Sequence, residues 1–504
     1  MSFRSHPSLQ AGTNNVLRTK VACTIGPVGL CPILNLFHLL ANTSLLIQES
    51  LGKLVDIGMS IARINMSHCT PENAAEIIRN LREYTDASRE HPEVGVWVDI
   101  NGPKVRTGKL INGTPVHLKK GDDFFFLNDS SAIGDNTKVS TSYSRELLHV
   151  GDRIFVDDGT LSFTVVERLE DCIKTVVDNN AVLGENKGIN FPDRTIDDLP
   201  AISERDRKDI MFAMKQNVDF ISISCIRDIE DVEEVRMILG NSNIKMLAKI
   251  ENKRAMNNFE SILMVADGIV IDRGYLGAEV DVDVISIAQK KMVALANTAG
   301  KPILIANQML ESMVSSPYPT RSEASDVTNA VMDGVDGLVL SGETAIGEYV
   351  METVATMRKI IYQAELNTNY LEYQMKAMRN VAKPIHINES IASSAVLCGR
   401  QVGAAVIMVL TEVGGTARLV AKYRPLIPVI AATTVRKTAR QMSANFGLIP
   451  YYHHSGPETA IRDTLLYAKD IGLCKTGDIA VITSGQVIGF LEGTTTKMQL
   501  VIVP

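Results

Sequence analysis

Aromatic side chains are scarce in this chain. They make up 5% of 504 residues, and Trp97 is the single tryptophan. Stacking platforms for single-stranded nucleic acid are built from successive aromatics, so that class is excluded. An excess of positive charge is missing too. The formal net charge is −7, and the electrostatic footprint of a general nucleic-acid binder is absent. Nowhere do about 18 apolar residues run without interruption, so no membrane span is expected. There is no CxxC pair. The seven cysteines, Cys23, Cys31, Cys69, Cys172, Cys225, Cys398 and Cys474, are scattered and odd in number. That pattern argues against a zinc ribbon or a disulfide scaffold, and for free thiols in a reducing, cytoplasmic setting. The adjacent His453 and His454 would point apart on a strand and make a poor metal pair. Residues 1–17 contain no acid, yet no amphipathic Arg-rich helix is drawn there. A short leader is expected rather than a transit peptide.

What is present is a β–α rhythm. The length leaves room for several domains. Apolar runs at 19–25, 60–65 and 93–100 read as strands, with helices at 49–58 and 71–87 between them. Thr70 is an N-cap and Pro71 stands at the first helical position. Residues 28–47 are apolar without a clean period and are broken by Pro32, Asn35, His38 and Asn42. They read neither as a strand nor as a span. From 101 to 197 the texture changes to short alternating strands at 115–118, 123–127, 153–156 and 161–167, separated by Gly/Asp turns. The rhythm then returns, with runs at 219–224, 245–250, 268–271, 302–306 and 337–340. Together with the three early strands these give eight, the number that closes a (β/α)8 barrel. The expected fold class is therefore α/β. A TIM barrel lies in two parts, 18–100 and 198–364, with a β lid inserted at 101–197. A helical connector at 365–379 leads into a C-terminal α/β domain at 365–504, with strands at 404–410, 429–432 and 478–482.

Polar clusters stand where the barrel strands end, which is where such barrels place their chemistry. They are Arg63 to His68, Asp99 to Pro103, Lys249 to Asn252, Asp272 to Tyr275, Asn307 with Gln308, and Ser341 to Glu343. Arg and Lys converging on one rim would hold anionic oxygens, and Glu would hold a divalent cation. Phosphoryl transfer asks for such parts, because its catalysis is mostly positioning and charge neutralisation.

In this order the clusters resemble the pyruvate kinase family. The resemblance covers essentially 18–504 and is carried by CTIGP at Cys23, ARINMSH at Ala62, NGPKVRTG at Asn101, KGINFP at Lys187, KIEN at Lys249, NQMLESM at Asn307, PTRSEASDV at Pro319 and LSGETA at Leu340. It implies phosphoryl transfer from phosphoenolpyruvate to ADP, giving pyruvate and ATP in glycolysis. It also implies Mg²⁺ or Mn²⁺ as cofactor and a homotetramer. Carried over by position, Arg63 and Lys249 would bind the transferring phosphate, Glu251 the metal, and the Gly274 N–H the substrate carboxylate. Asn307 would stand beside the enolate. Asn65, His68, Arg106 and Lys187 would lie along the nucleotide. Asn65, Ser67, Asp99 and the Ile100 carbonyl would form a potassium shell, and the β domain would close as a lid.

The departures from the family pattern are specific. The family has Arg-Gly-Asp-Leu-Gly where this chain has Arg273-Gly274-Tyr275-Leu276-Gly277, so the second carboxylate of the metal site is lost. Asp272 replaces a small residue three positions earlier, and the expectation is that Glu251 holds the metal without it. Asn307 stands where a Thr hydroxyl assists proton delivery, and Asn101 replaces a Lys. Lys104 replaces a Glu, and its ammonium is expected to make potassium dispensable. In the C-terminal loop, Thr411 to Thr416, the family's Ser and Arg are replaced by Val413 and Gly415. Ser484-Gly485-Gln486 lacks the expected Trp and Arg, so activation by fructose bisphosphate is not expected. The alternative reading is a catalytically impaired paralogue serving as a binding or regulatory subunit. A barrel aldolase is disfavoured by the lid and the C-terminal domain.

Overall fold

The computed structural model describes residues 17–26, 43–87, 92–129, 131–141, 148–157, 159–192, 194, 200–454, 457–485 and 495–504. The leader up to Asn15 and Val16, most of the apolar segment 28–47, Asp158, and Gln486 of the C-terminal stretch lie outside the described residues.

The chain begins with β1 (Lys20–Thr24), β2 (Ile61–Asn65) and β3 (Gly95–Ile100). Eight short strands follow: β4 (Val116–Leu118), β5 (Asp123–Leu127), β6 (Lys138–Ser140), β7 (Arg153–Val156), β8 (Leu161–Arg168), β9 (Cys172–Val177), β10 (Ala181–Leu183) and β11 (Ile189–Asn190). Then come β12 (Phe220–Ile223), β13 (Lys245–Ile250), β14 (Gly268–Asp272), β15 (Ile303–Ala306) and β16 (Gly337–Leu340). The last set is β17 (Val406–Leu410), β18 (Val429–Thr433), β19 (Leu448–Tyr452), β20 (Ile479–Gly485) and β21 (Thr495–Ile502).

β1–β3 and β12–β16 close into an all-parallel barrel in the order β1-β16-β15-β14-β13-β12-β3-β2. The barrel strands are almost continuously buried, as parallel strands covered by helices must be. Side chains alternate between faces. Outward residues such as Met246, Ala248, Ile269 and Ile271 pack with the surrounding helices. Inward residues such as Ile61, Trp97, Phe220, Leu247, Val270 and Leu304 fill the lower barrel. Counting on by two from these reaches Arg63, Asp99, Ser222, Lys249 and Asp272. The inward face therefore turns from apolar to charged toward the strands' C-terminal ends.

The inserted strands form a six-stranded sheet, β11-β7-β8-β9-β5-β6, and a pair, β10-β4. They enclose a core of their own around Phe124, Phe126 and Phe163, whose ring centroids lie 5.0–5.5 Å apart. The C-terminal sheet runs β19-β18-β17-β20-β21. That domain meets the barrel at the end away from the charged rim. Ala444 joins the lower barrel cluster, Lys20 Nζ donates to the Leu448 carbonyl at 2.6 Å, and Arg424 pairs with Asp336 at 3.0 Å.

Three expectations are corrected. The connector is not one helix: Val350–Leu366 and Tyr370–Asn380 are separate, because the Asn369 side chain accepts the Glu372 N–H and starts a new helix. The first helix begins at Thr43 rather than at 49, inside the stretch 28–47 that reads neither as a strand nor as a span. His453 and His454 lie just past β19 rather than on it, although one is buried and the other exposed.

Candidate active site

β2, β3, β12, β13, β14 and β15 are successive neighbours round the barrel, so their C-terminal side chains meet. Arg63 ends β2's inward row. Its guanidinium donates to Asp99 Oδ2 at 3.0 and 2.5 Å and to Thr24 Oγ1 at 2.7 Å. The same Asp99 oxygen accepts from Lys249 Nζ at 3.2 Å, and Asp99 Oδ1 accepts from Ser222 at 2.6 Å. Lys249 Nζ also reaches Ser224 at 3.1 Å, Glu251 Oε1 at 2.7 Å and Asp272 Oδ2 at 3.4 Å. Lys104, from the base of the lid, donates to Glu251 Oε1 at 3.1 Å. Its ammonium lies 3.1 Å from the centroid of the Tyr275 ring, a cation–π contact in a desolvated place. Asn307 Nδ2 donates to Asp272 Oδ1, and Asn307 Oδ1 accepts from Ser341 Oγ.

Arg63, Lys104 and Lys249 thus face Asp99, Glu251 and Asp272, all six with side chains at most 8% exposed. In such a place each charge exists because of the others. Burial alone would lower the Lys249 pKa, but Asp99, Glu251 and Asp272 overcome it and leave the ammonium more basic than usual. Burial alone would raise Glu251, but Lys104 and Lys249 hold its carboxylate well below the usual range. Asp272 goes the other way: burial and the neighbouring Glu251 raise it, against the pull of Lys249. The six groups form one balanced network, and an incoming anion with its counter-cation would exchange places within it.

The backbone supports this rim. Asn307 and Gln308 both have left-handed φ angles, 66° and 55°, which non-glycine residues adopt at a cost. Arg273 holds their carbonyls at 3.0 and 2.6 Å and is itself anchored on Asp326 at 2.6 Å. Gly274 lies buried in the first turn of Arg273–Glu279, where helix N–H groups are unpaired and suit an anion.

Beside the rim, Asn101 Oδ1 accepts from Ser67 at 2.8 Å and from Arg106 Nε at 3.1 Å. Asn65 Oδ1 accepts the Ser67 N–H at 3.0 Å. The His68 pKa is lowered first by burial and then by Arg106, Arg63, Lys187 and Lys104, which favours the neutral ring. Lys187 pairs with Asp157 at 2.9 Å. A cleft of about 500 Å³ opens between lid and barrel, lined in part by Lys104, Tyr275, Asn190, Phe191 and Lys253.

Two family models match this chain: "Pyruvate kinase, barrel domain" over residues 16–354 and "Pyruvate kinase, alpha/beta domain" over 389–501. The chain belongs to the pyruvate kinase family. It is 40% identical to a pyruvate kinase of Dictyostelium discoideum over 98% of this chain and 96% of that one. It is 38% identical to a pyruvate kinase of Schizosaccharomyces pombe, over 96% and 94%. A cytosolic pyruvate kinase isozyme of Nicotiana tabacum is 37% identical, over 92% and 93%. A crystal structure of a pyruvate kinase from Cryptosporidium parvum superposes with a TM-score of 0.86 at 36% identity, covering 99% of this chain and all of that one.

Against that pyruvate kinase frame, Arg63, Lys249 and Glu251 meet at one rim, linked through Asp99 and Lys249 itself. Asn307 joins them through Asp272. Asn65, Ser67 and Arg106 gather around Asn101. Sequence reasoning missed the parts that connect these groups: Ser222, Ser224, Thr24, and Asp99 as the partner of both Arg63 and Lys249. The signal was there in the alternation, since Ser222 and Asp99 are opposed in the β12–β3 register.

Proposed function

We propose that this chain is a working pyruvate kinase that moves the phosphoryl group of phosphoenolpyruvate to ADP, with the residues of the charged rim in the following roles. Arg63 and Lys249 receive the phosphate, since both are buried cations poised on a carboxylate that a phosphate can outcompete with bidentate, charge-assisted bonds. Lys249 neutralises charge as it shifts onto the bridging oxygen, an effect strongest where water is excluded. The first turn at Gly274 takes the substrate carboxylate. Asn307 offers an amide to the enolate but carries no ionisable proton, so the proton that completes pyruvate comes from solvent rather than from this side chain. Arg106, Lys187, His68 and Asn65 line the path for ADP, and the lid closes over them to exclude water.

The family generally uses a divalent cation. Among the described residues no group of three or more His, Cys, Asp or Glu could hold a metal ion by itself. A buried Glu251 with an acidic neighbour does suit Mg²⁺ or Mn²⁺, which are held by one or two carboxylates and otherwise by substrate oxygens and water. When bound, the ion would neutralise phosphate charge.

Potassium is dispensable in this reading. Asp99, the anionic member of the Asn65, Ser67, Asp99 and Ile100 shell, is already engaged by Arg63, Lys249 and Ser222, and the Ile100 carbonyl accepts the Ser224 N–H at 3.2 Å. Lys104 adds a fixed positive charge alongside. Rates with and without KCl at matched ionic strength should agree within about twofold, and a large drop without potassium would defeat the point. We also propose a homotetramer in the cytosol, consistent with the family and with the absence of any described helix long and apolar enough to cross a membrane. Sedimentation of the purified chain checks the subunit count.

The observation that carries the function is the convergence of Arg63, Asp99, Lys249 and Glu251 on one rim. A coupled assay of ATP formation with Mg²⁺, Mn²⁺ and Co²⁺ tests it. Turnover with at least one ion is expected. No turnover with any, together with activity restored by Tyr275→Asp, would replace this reading with a non-catalytic subunit.

A further inference from the structure

If the chain performs the phosphotransfer proposed above, Tyr275 leaves room for another side chain to share the divalent cation with Glu251, and the identity of that side chain rests on that function. Two carboxylates stand side by side on the rim. Glu251 immediately follows β13, and Asp272 ends β14, the next strand of the barrel. Each is 1% exposed. One cation already lies between them: Lys249 Nζ is 2.7 Å from Glu251 Oε1 and 3.4 Å from Asp272 Oδ2.

Glu251 is itself bonded, to Lys104, to Lys249 and to the Cys225 N–H, and so are the acids around the pair. Asp99 holds Arg63, Lys249 and Ser222. Glu279 accepts from Asn190 and from the Lys253 N–H. Glu343 accepts the N–H groups of Leu310 and Ser341. Tyr275 is committed elsewhere: its ring carries Lys104 on one face, and it lies so close to Gly188 that a Cβ there would stand 2.8 Å from Cε1. A phenol is a poor ligand for a hard cation.

Asp272, in contrast, is held from behind. The Asn307 amide fixes Oδ1, and Ser341 fixes the Asn307 amide, while Oδ2 faces Lys249 and Glu251. Outer partners of this kind orient a ligating carboxylate. The left-handed backbone at Asn307 aims that amide, and Arg273 clamps it.

We propose that Asp272 and Glu251 together are the protein's contribution to the divalent-cation site, with Asn307 as the positioning residue of Asp272. The carboxylate missing at 275 is replaced by one at 272, and the amide at 307 is the matching change. Two hard oxygens from adjacent strands leave the remaining positions to substrate and water, as Mg²⁺ and Mn²⁺ prefer. This replaces the expectation that Glu251 acts without Asp272.

Mn²⁺ binding to the full-length protein, read by electron paramagnetic resonance of the unbound ion with and without phosphoenolpyruvate, tests the site apart from catalysis. Asp272→Asn removes a ligand and should loosen Mn²⁺ by at least the roughly 10- to 100-fold that follows loss of an outer partner alone. Asn307→Ala should loosen it less, and Tyr275→Phe should leave it within about twofold. Unchanged binding in Asp272→Asn, or loosening by Tyr275→Phe as large as that expected of Asp272→Asn, would overturn the proposal. Crystals of the unaltered protein soaked in Mn²⁺ need no variant to fold. An anomalous peak about 2.1 Å from oxygens of both carboxylates is expected, and a peak on Glu251 but away from Asp272 would overturn it. Mn²⁺ bound by both carboxylates in a chain that makes no ATP would contradict the function and leave this site standing. An active chain whose metal ignores Asp272 would do the reverse.

Discussion

Asp219, at the foot of the barrel, shows how one side chain can work against the fold. Its Oδ2 accepts the Val96 N–H at 2.9 Å, while Oδ1 has no partner among the described residues. Burial raises its pKa from 3.8 to about 6, against the pull of that N–H, Arg440, Arg82 and Lys437. Between these two values the native chain keeps a proton that the unfolded chain has released. Native stability therefore falls as pH rises from about 4 to about 6 and stays lower above. Asp219→Asn keeps an acceptor for Val96 and cannot ionise. Its advantage over the unaltered chain should grow to on the order of 2 kcal/mol by pH 7 and shrink toward zero near pH 4. Urea midpoints of both proteins at the two pH values measure it, and a pH-independent gap contradicts the assignment. At this scale the sequence pointed to the candidate site where a residue broke the barrel's rule: Arg63 and Lys249 in apolar strands, and Glu251 just past one, are charges where the pattern asks for apolar residues, and such violations are expected at functional sites. Asp272 breaks the same rule, and what the sequence did not show is its place beside Lys249 of the adjacent strand, because distance along the chain says nothing about neighbours round a rim.

The helix Arg321–Asp333 follows the loop that leaves β15, and its start is built to hold that loop. Thr320 accepts the Glu323 N–H, Glu323 returns to the Thr320 N–H, and Gly334 ends the helix in a left-handed cap. The same Glu323 binds the N–H and hydroxyl of Ser312 at 2.7 and 2.5 Å, so the cap also ties down the turn just past Asn307. Thr320→Ala should cost about 1 kcal/mol in urea unfolding. A loss beyond about 3 kcal/mol, or none, would show that the box is not what anchors this turn. Elements with strong punctuation of this kind were legible from sequence, as were the barrel strands, each a short apolar run ending in polar residues. Strands without such signals were not. β19 carries Pro450, which argues against a strand, yet it lies at the edge of its sheet, where a missing donor is tolerated. β6, β10 and β11 are too short for alternation to declare itself.

In the whole molecule, the charged rim lies between two bodies and is completed by one of them. The barrel supplies Arg63, Lys249, Glu251 and Asp272, and the lid's base adds Lys104, with Asn190 tied to Glu279 at 3.0 Å. The C-terminal domain docks on the other end through Arg424, Asp336 and Ala444, leaving the rim open to substrate. The order of barrel, insertion and terminal domain could be read from changes of texture along the chain. The charge balance of the rim could not, because it is a property of six side chains brought from separate strands and the lid. The central claim is that this network grips a phosphoryl group in transit. Following phosphorus by NMR in a mixture of phosphoenolpyruvate, ADP and Mg²⁺ tests it most directly, using the unaltered chain and Lys249→Met. The phosphoenolpyruvate signal should give way to the γ-phosphate of ATP, and Lys249→Met should slow this by at least about 100-fold. A Lys249→Met chain that transfers as fast as the original, or an original that leaves phosphoenolpyruvate untouched, would contradict the account.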